Sequence, residues 1–218
     1  MSSAMSLNKI YEVVVLISFL YSIYLWIVKA KSKQQFYFYI YLLFVILVDI
    51  IPVNFPYLIK FNRNILFVGY IFFSMAYFGI IYYKNIGNNS FKILNIIILV
   101  SLIFLNICQS QKQDVETLGF IPVISLPVLF IFFSMSWYLF KLQNVNEKRI
   151  THSFLFWISS GLLIWSVFFI FRAIPMYFLQ ENDPRLLSFL ITTFSVVNII
   201  TYLLFFIGLI FVKNERTS

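Results

Sequence analysis

Apolar residues in this chain fall in long stretches separated by short polar runs, leaving little sequence for a soluble catalytic or sensor domain. Seven stretches reach or approach the roughly 20 residues that a helix needs to cross a hydrocarbon core about 30 Å thick. They are Ile10–Val28, Phe36–Val53, Asn64–Tyr83, Ile93–Cys108, Phe120–Phe140, Phe154–Phe178 and Leu186–Val212. The fourth is the shortest and can complete its crossing by recruiting Phe91 or residues beyond Cys108. Within lipid every backbone polar group needs an internal partner, so such stretches read as helices. The pattern predicts an all-α polytopic membrane protein, a single seven-transmembrane-helix bundle over residues 1–218.

Charge gives the bundle a direction, because Lys and Arg stay preferentially on the cytoplasmic side. One face carries Lys29, Lys31, Lys33, Lys84, Lys92, Lys141, Lys148, Arg149, Lys213 and Arg216, with Glu147 and Glu215. The other carries Lys9, Lys60, Arg63, Lys112 and Arg185, with Glu12, Asp114, Glu116, Glu181 and Asp183. Ten basic residues against five predict an outside N-terminus and a cytoplasmic C-terminus in a cytoplasmic membrane.

Composition supports lipid as the solvent: 61% hydrophobic and 11% charged residues lie far from the balance of a soluble domain. The net charge of +8 is scattered through the loops and forms no basic domain, so nucleic acid is excluded as a partner and the bilayer is expected. Cys108 is the one cysteine and has no intrachain disulfide partner; it reads as a packing residue. Met1 to Lys9 is polar, and the apolar run that follows exceeds a signal-peptide core, so the first span is expected to remain in the mature protein.

Small residues suggest where helices approach closely. Gly69, Ala76 and Gly79 share one stripe of the third span, and Ser159, Ser160 and Gly161 form a thin patch on the sixth. Pro127 should kink the fifth span and free a backbone carbonyl. The run Ile71 to Tyr77 is echoed by Ile131 to Trp137, readable as a shared aromatic packing face or as a trace of duplication.

Ionisable groups within spans are costly and point to function. Glu12 opens the first span, Asp49 lies near the outer end of the second and Arg172 toward the outer end of the sixth, so all three gather in one depth layer. Thr192, Ser195, Asn198 and Tyr202 follow at helical spacing along one face of the seventh span. These seven residues are the candidates for ligand binding or ion pairing, and an Asp49–Arg172 pair is expected. The alternatives are structural: Glu12 favoured at a helix start, Arg172 snorkelling to headgroups, Asp49 in a frayed end before Pro52, and the stripe as interhelical glue.

Several chemistries lack their residues. The seventh span holds no lysine before Lys213 for a retinal Schiff base, and His152 is the one histidine, so neither a zinc cluster nor a Ser-His dyad can form. Motifs of the DRY and NPxxY kind and a Gly-rich phosphate loop are also missing. No cofactor, metal site or catalytic constellation is expected.

The stretch Ser153-Phe154-Leu155-Phe156-Trp157-Ile158-Ser159-Ser160-Gly161-Leu162-Leu163-Ile164-Trp165 resembles a phrase that opens the sixth helix of small, uncharacterised seven-helix integral membrane proteins of Bacteroidota. Their plan is similar to the membrane part of bacterial seven-helix signalling receptors. The resemblance implies a sensor or accessory signalling subunit, and the charged layer with the polar stripe below it predicts an outward-opening pocket between the second, sixth and seventh spans for a small or lipid ligand. Since no intracellular signalling domain lies in this sequence, it also implies a separate cytoplasmic partner, which basic segments Lys29 to Lys33 and Lys141 to Arg149 would meet. The alternatives are a small solute or lipid transporter and, third, an intramembrane lipid-acting enzyme using Glu12 and Asp49 as acid and base.

Overall fold

A computed structural model describes residues 2–28, 35–55, 57, 63–110, 120–144, 150–179 and 184–212. The basic and acidic positions at 29–33, 60, 112–116, 147–149, 181–183 and 213–216 lie outside them. The described residues are helical almost throughout: α1 Ser2–Ile27, α2 Phe38–Asn54, α3 Arg63–Asn85, α4 Asn89–Ser110, α5 Phe120–Gln143, α6 Phe154–Leu179 and α7 Pro184–Val212. Among them, all but α2 are long and apolar enough to cross a membrane, making six such helices; α2 is apolar but 17 residues long. At 1.5 Å per residue it extends about 25 Å, short of a full hydrocarbon core. The fourth span does gain Phe91 and residues beyond Cys108, since α4 runs Asn89–Ser110.

Asparagines stand at several helix ends and bond to the backbone there. Asn85 Nδ2 donates to the Ile81 carbonyl (2.8 Å), Asn144 Nδ2 to the Phe140 carbonyl (2.9 Å), and Asn88 Oδ1 caps α4 by accepting from Ser90 N–H (2.9 Å).

α2 is not a uniform helix. Phe36 and Tyr37, just before it, have φ of 52° and 56°, left-handed values that cost a bulky residue roughly 1–2 kcal/mol. Neighbouring contacts hold them there. Gln35 is fully buried, accepts from the Ser22 hydroxyl and returns its Nε2 to the Ser22 carbonyl at 2.9 Å. Further along, Ile46–Ile50 forms a π-helical turn in which Ile51 N–H donates to the Ile46 carbonyl. Pro52 explains it: with no N–H and a ring that crowds the preceding carbonyls, it forces the turn to widen.

The chain divides into two compact units, Met1–Leu42 with Asn146–Ser218, and Leu43–Val145. In the first, α7 packs on both α6 and α1. Small residues bring α6 and α7 together: a Cβ on Gly161 would lie 2.8 Å from Phe205 Cε1, and one on Gly208 3.2 Å from the Phe154 carbonyl. Trp157 stacks on Phe211 (5.7 Å between centroids, 7° between planes) at one end of this antiparallel pair. Phe38, at the start of α2, meets Phe154 and Phe205 edge-on at 5.5 and 5.4 Å.

In the second unit, α5 packs on α3 and α4. Phe78 meets Phe130 at 5.0 Å and Tyr82 meets Phe133 at 5.2 Å across α3 and α5, while Phe44 stacks on Phe73 at 4.3 Å. Gly79 approaches Leu99, its Cβ position 3.0 Å from Leu99 Cδ2. The rest of the expected small-residue stripe is corrected: Gly69 has nothing within 4 Å of its Cβ position, and Ala76 is exposed. Helix α5 continues through Pro127, with Ser125 donating to the Pro122 carbonyl at 3.0 Å. The echoed segments share a buried serine, Ser74 and Ser134, yet Met75 is buried whereas Met135 is exposed. Equivalent letters therefore occupy different environments.

Candidate functional site

The α1, α6 and α7 group brings several expected residues onto contacts between helices. Asn198 accepts a hydrogen bond at its Oδ1 from the Trp165 indole N–H (3.0 Å), tying α7 to α6. Tyr202 is buried, edge-on to Tyr11 of α1 (5.4 Å, 72°) and to Phe205 (5.3 Å). The Arg172 guanidinium lies over the Phe194 ring with Cζ 4.9 Å from the centroid, a cation–π contact across α6 and α7. Phe194 also meets Phe169 at 5.5 Å and Trp165 at 6.0 Å, so Arg172, Phe194, Trp165 and Asn198 form one contiguous strip.

Two other expected residues bond within α7 itself. Thr192 and Ser195 are half-buried, and each hydroxyl donates to its own helix, to the Ser188 carbonyl at 2.9 Å and the Ile191 carbonyl at 3.1 Å. Such back-bonding lets a hydroxyl sit in lipid without facing another helix. Glu12 is half-buried on α1 beside Tyr11. Asp49 is exposed in the π turn and belongs to the second unit, Arg172 to the first.

Other buried polar groups were not among the expected sites. In the second unit, Ser136 donates to Asn95 Oδ1 (2.9 Å) and Asn106 Nδ2 to the Ser125 hydroxyl (3.0 Å), pinning α4 to α5 twice. Tyr82 Oη and Ser134 Oγ lie 3.5 Å apart. Among the described residues, Asn95 Nδ2, Trp137 Nε1 and the hydroxyls of Ser74, Ser166 and Thr201 are buried without a hydrogen-bond partner. The signal for Asn95 and Asn106 was legible, since an asparagine within an apolar span has few stable resting places besides a helix contact. Among the described residues, no three of His, Cys, Asp and Glu come together in a group able to hold a metal ion.

No family model matches the chain, and neither does any curated protein or solved structure. The class stands on the helices themselves: an all-α, multi-pass integral membrane protein with about six membrane-spanning helices.

Proposed function

We propose that the protein is a non-enzymatic, sensor-like membrane subunit that takes a small or lipid ligand at the Arg172 end of the α6–α7 pair and acts through a cytoplasmic partner. The observation that carries this reading is the strip Arg172–Phe194–Trp165–Asn198, which places a cation and an amide on the two helices that pack most closely in their unit. In this reading α2 is a seventh crossing and residues 1–218 form one domain. The N-terminus is outside, as the basic residues favour, and the membrane is the bacterial inner one. The segments from Lys29 and from Lys141 then face the partner or anionic lipid. Transport is the second reading, favoured by the π turn at Asp49 and Pro52, since interrupted helices are a transporter feature.

The test uses protein in lipid vesicles with Cys108→Ser and a bimane fluorophore on Thr151→Cys, an exposed position at the approach to α6. Small carboxylates and, in separate vesicles, an anionic phospholipid are added in turn. One class is expected to change the emission, and Arg172→Gln to abolish the change. Solute uptake or lipid hydrolysis by the same vesicles, lost in Arg172→Gln, rejects the sensor reading in favour of a transporter or an enzyme.

A further inference from the structure

A guanidinium carries five N–H donors and no acceptor, and a ring face answers its charge without accepting hydrogen bonds in the plane of the fork. Arg172 is in this position. It is half-buried on a helix that crosses the membrane, and among the described residues no acceptor meets its donors while Phe194 covers one face. It lies seven residues before Leu179, the last residue of α6, or about 10 Å from that end, within reach of the headgroup layer for a side chain of its length. Its flank is apolar. Phe168, one turn away on the same face, and Phe171 are 43% and 67% exposed, and Ile191 on α7 is 40% exposed. An anion resting on Arg172 would therefore have lipid-facing aromatic and aliphatic surface beside it.

We infer that Arg172 is the headgroup contact of an anionic phospholipid, whose phosphate takes the guanidinium edge in paired N–H···O bonds and whose acyl chain runs along Phe168. Arginine suits this because its planar fork matches two phosphate oxygens at once, and Phe194 holds the plane in place. A soluble phosphate would find the same fork but no use for the apolar flank. The assignment goes beyond the sensor reading and stands without it, because binding is measured directly here and signalling by the bimane emission.

The test compares full-length protein in detergent micelles with added phosphatidylglycerol, phosphatidylcholine or inorganic phosphate. Phosphatidylglycerol is expected to raise the wild-type Tm by at least about 4 °C, and the other two by less than about 1 °C. Arg172→Gln should lose the difference. Native mass spectrometry of the wild type, purified from membranes containing both lipids, should show phosphatidylglycerol retained several-fold over phosphatidylcholine. A photo-crosslinking residue in place of Phe168 should capture the phosphatidylglycerol acyl chain. Equal retention of the two lipids, or no capture at Phe168, overturns the proposal even if Arg172→Gln fails to fold. An undiminished phosphatidylglycerol effect in folded Arg172→Gln does the same, and an equal response to inorganic phosphate would make the site one for free phosphate.

Discussion

The Trp165 indole N–H donates to Asn198 Oδ1 at 3.0 Å, so one hydrogen bond joins α6 and α7 in the middle of their apolar lengths. In lipid such a bond is worth less than its isolation suggests, because the separated helices also find partners; the average is near 0.6 kcal/mol with an upper range of about 1.7. A double-mutant cycle of Trp165→Phe and Asn198→Ala, read by unfolding in denaturing detergent, is expected to give a coupling of about 0.6–1.7 kcal/mol. Strict additivity would mean the bond contributes nothing.

Glycines separate into two classes by what a side chain would meet. Gly161→Val should destabilise by about 1–3 kcal/mol, because its Cβ would lie 3.3 Å from the Thr201 carbonyl, backbone that cannot swing aside, besides pressing on Phe205. Gly69→Ala, with nothing within 4 Å, should be neutral or gain up to about 1 kcal/mol from helix propensity. Detergent unfolding of the two variants decides the order, and equal losses would contradict this packing.

Asn95 gives a case in which removing polarity should cost little. Its Oδ1 accepts from Ser136, but its buried Nδ2 meets no acceptor among the described residues, so a desolvation cost offsets the bond. The double variant Asn95→Leu with Ser136→Ala is expected within about 1 kcal/mol of wild-type stability. Asn95→Leu alone should cost little more, since the Ser136 hydroxyl can turn to a carbonyl of its own helix. A loss above about 2 kcal/mol in the double variant would show that the pair is a net stabiliser.

Orientation is tested with single cysteines in a Cys108→Ser background. Tyr57→Cys, exposed beyond α2, is expected to react with an impermeant maleimide in intact cells, and Asn144→Cys, exposed at the end of α5, only after the membrane is opened. The reverse pattern would invert the topology that the basic residues predict.

Helix existence was legible wherever apolar length alone decides it: the expected Phe154–Phe178 became Phe154–Leu179, and Leu186–Val212 became Pro184–Val212. Helix α2 was harder, because its features depend on contacts distant in sequence. Nothing local says that Phe36 and Tyr37 turn left-handed, or that Gln35, beside a run of lysines, is buried against Ser22. Pro52 did carry a signal, which was read as fraying at Asp49 and appears as a π turn. The seventh-span stripe had the right spacing but only partly the right face. Phe194, Val197, Thr201 and Phe205 form the buried line, with Tyr202 joining it, while Thr192 and Ser195 are satisfied by their own helix. Asn198 was informative because its amide reaches the Trp165 indole on the neighbouring helix, whereas the Thr192 hydroxyl donates to its own backbone.

The close fit of α6 on α7 also has a mechanical side. The pair touches at Trp157 on Phe211, at Gly161 under Phe205, at Trp165 with Asn198 and at Arg172 over Phe194, so the two helices have little freedom to slide past each other. Trp157 and Arg172 are 15 residues apart, about 22 Å along the axis. A tilt of roughly 5° then displaces one end by about 2 Å relative to the other. Such a pair tilts as one body, so a displacement at one end is carried to the other without any helix unwinding in between.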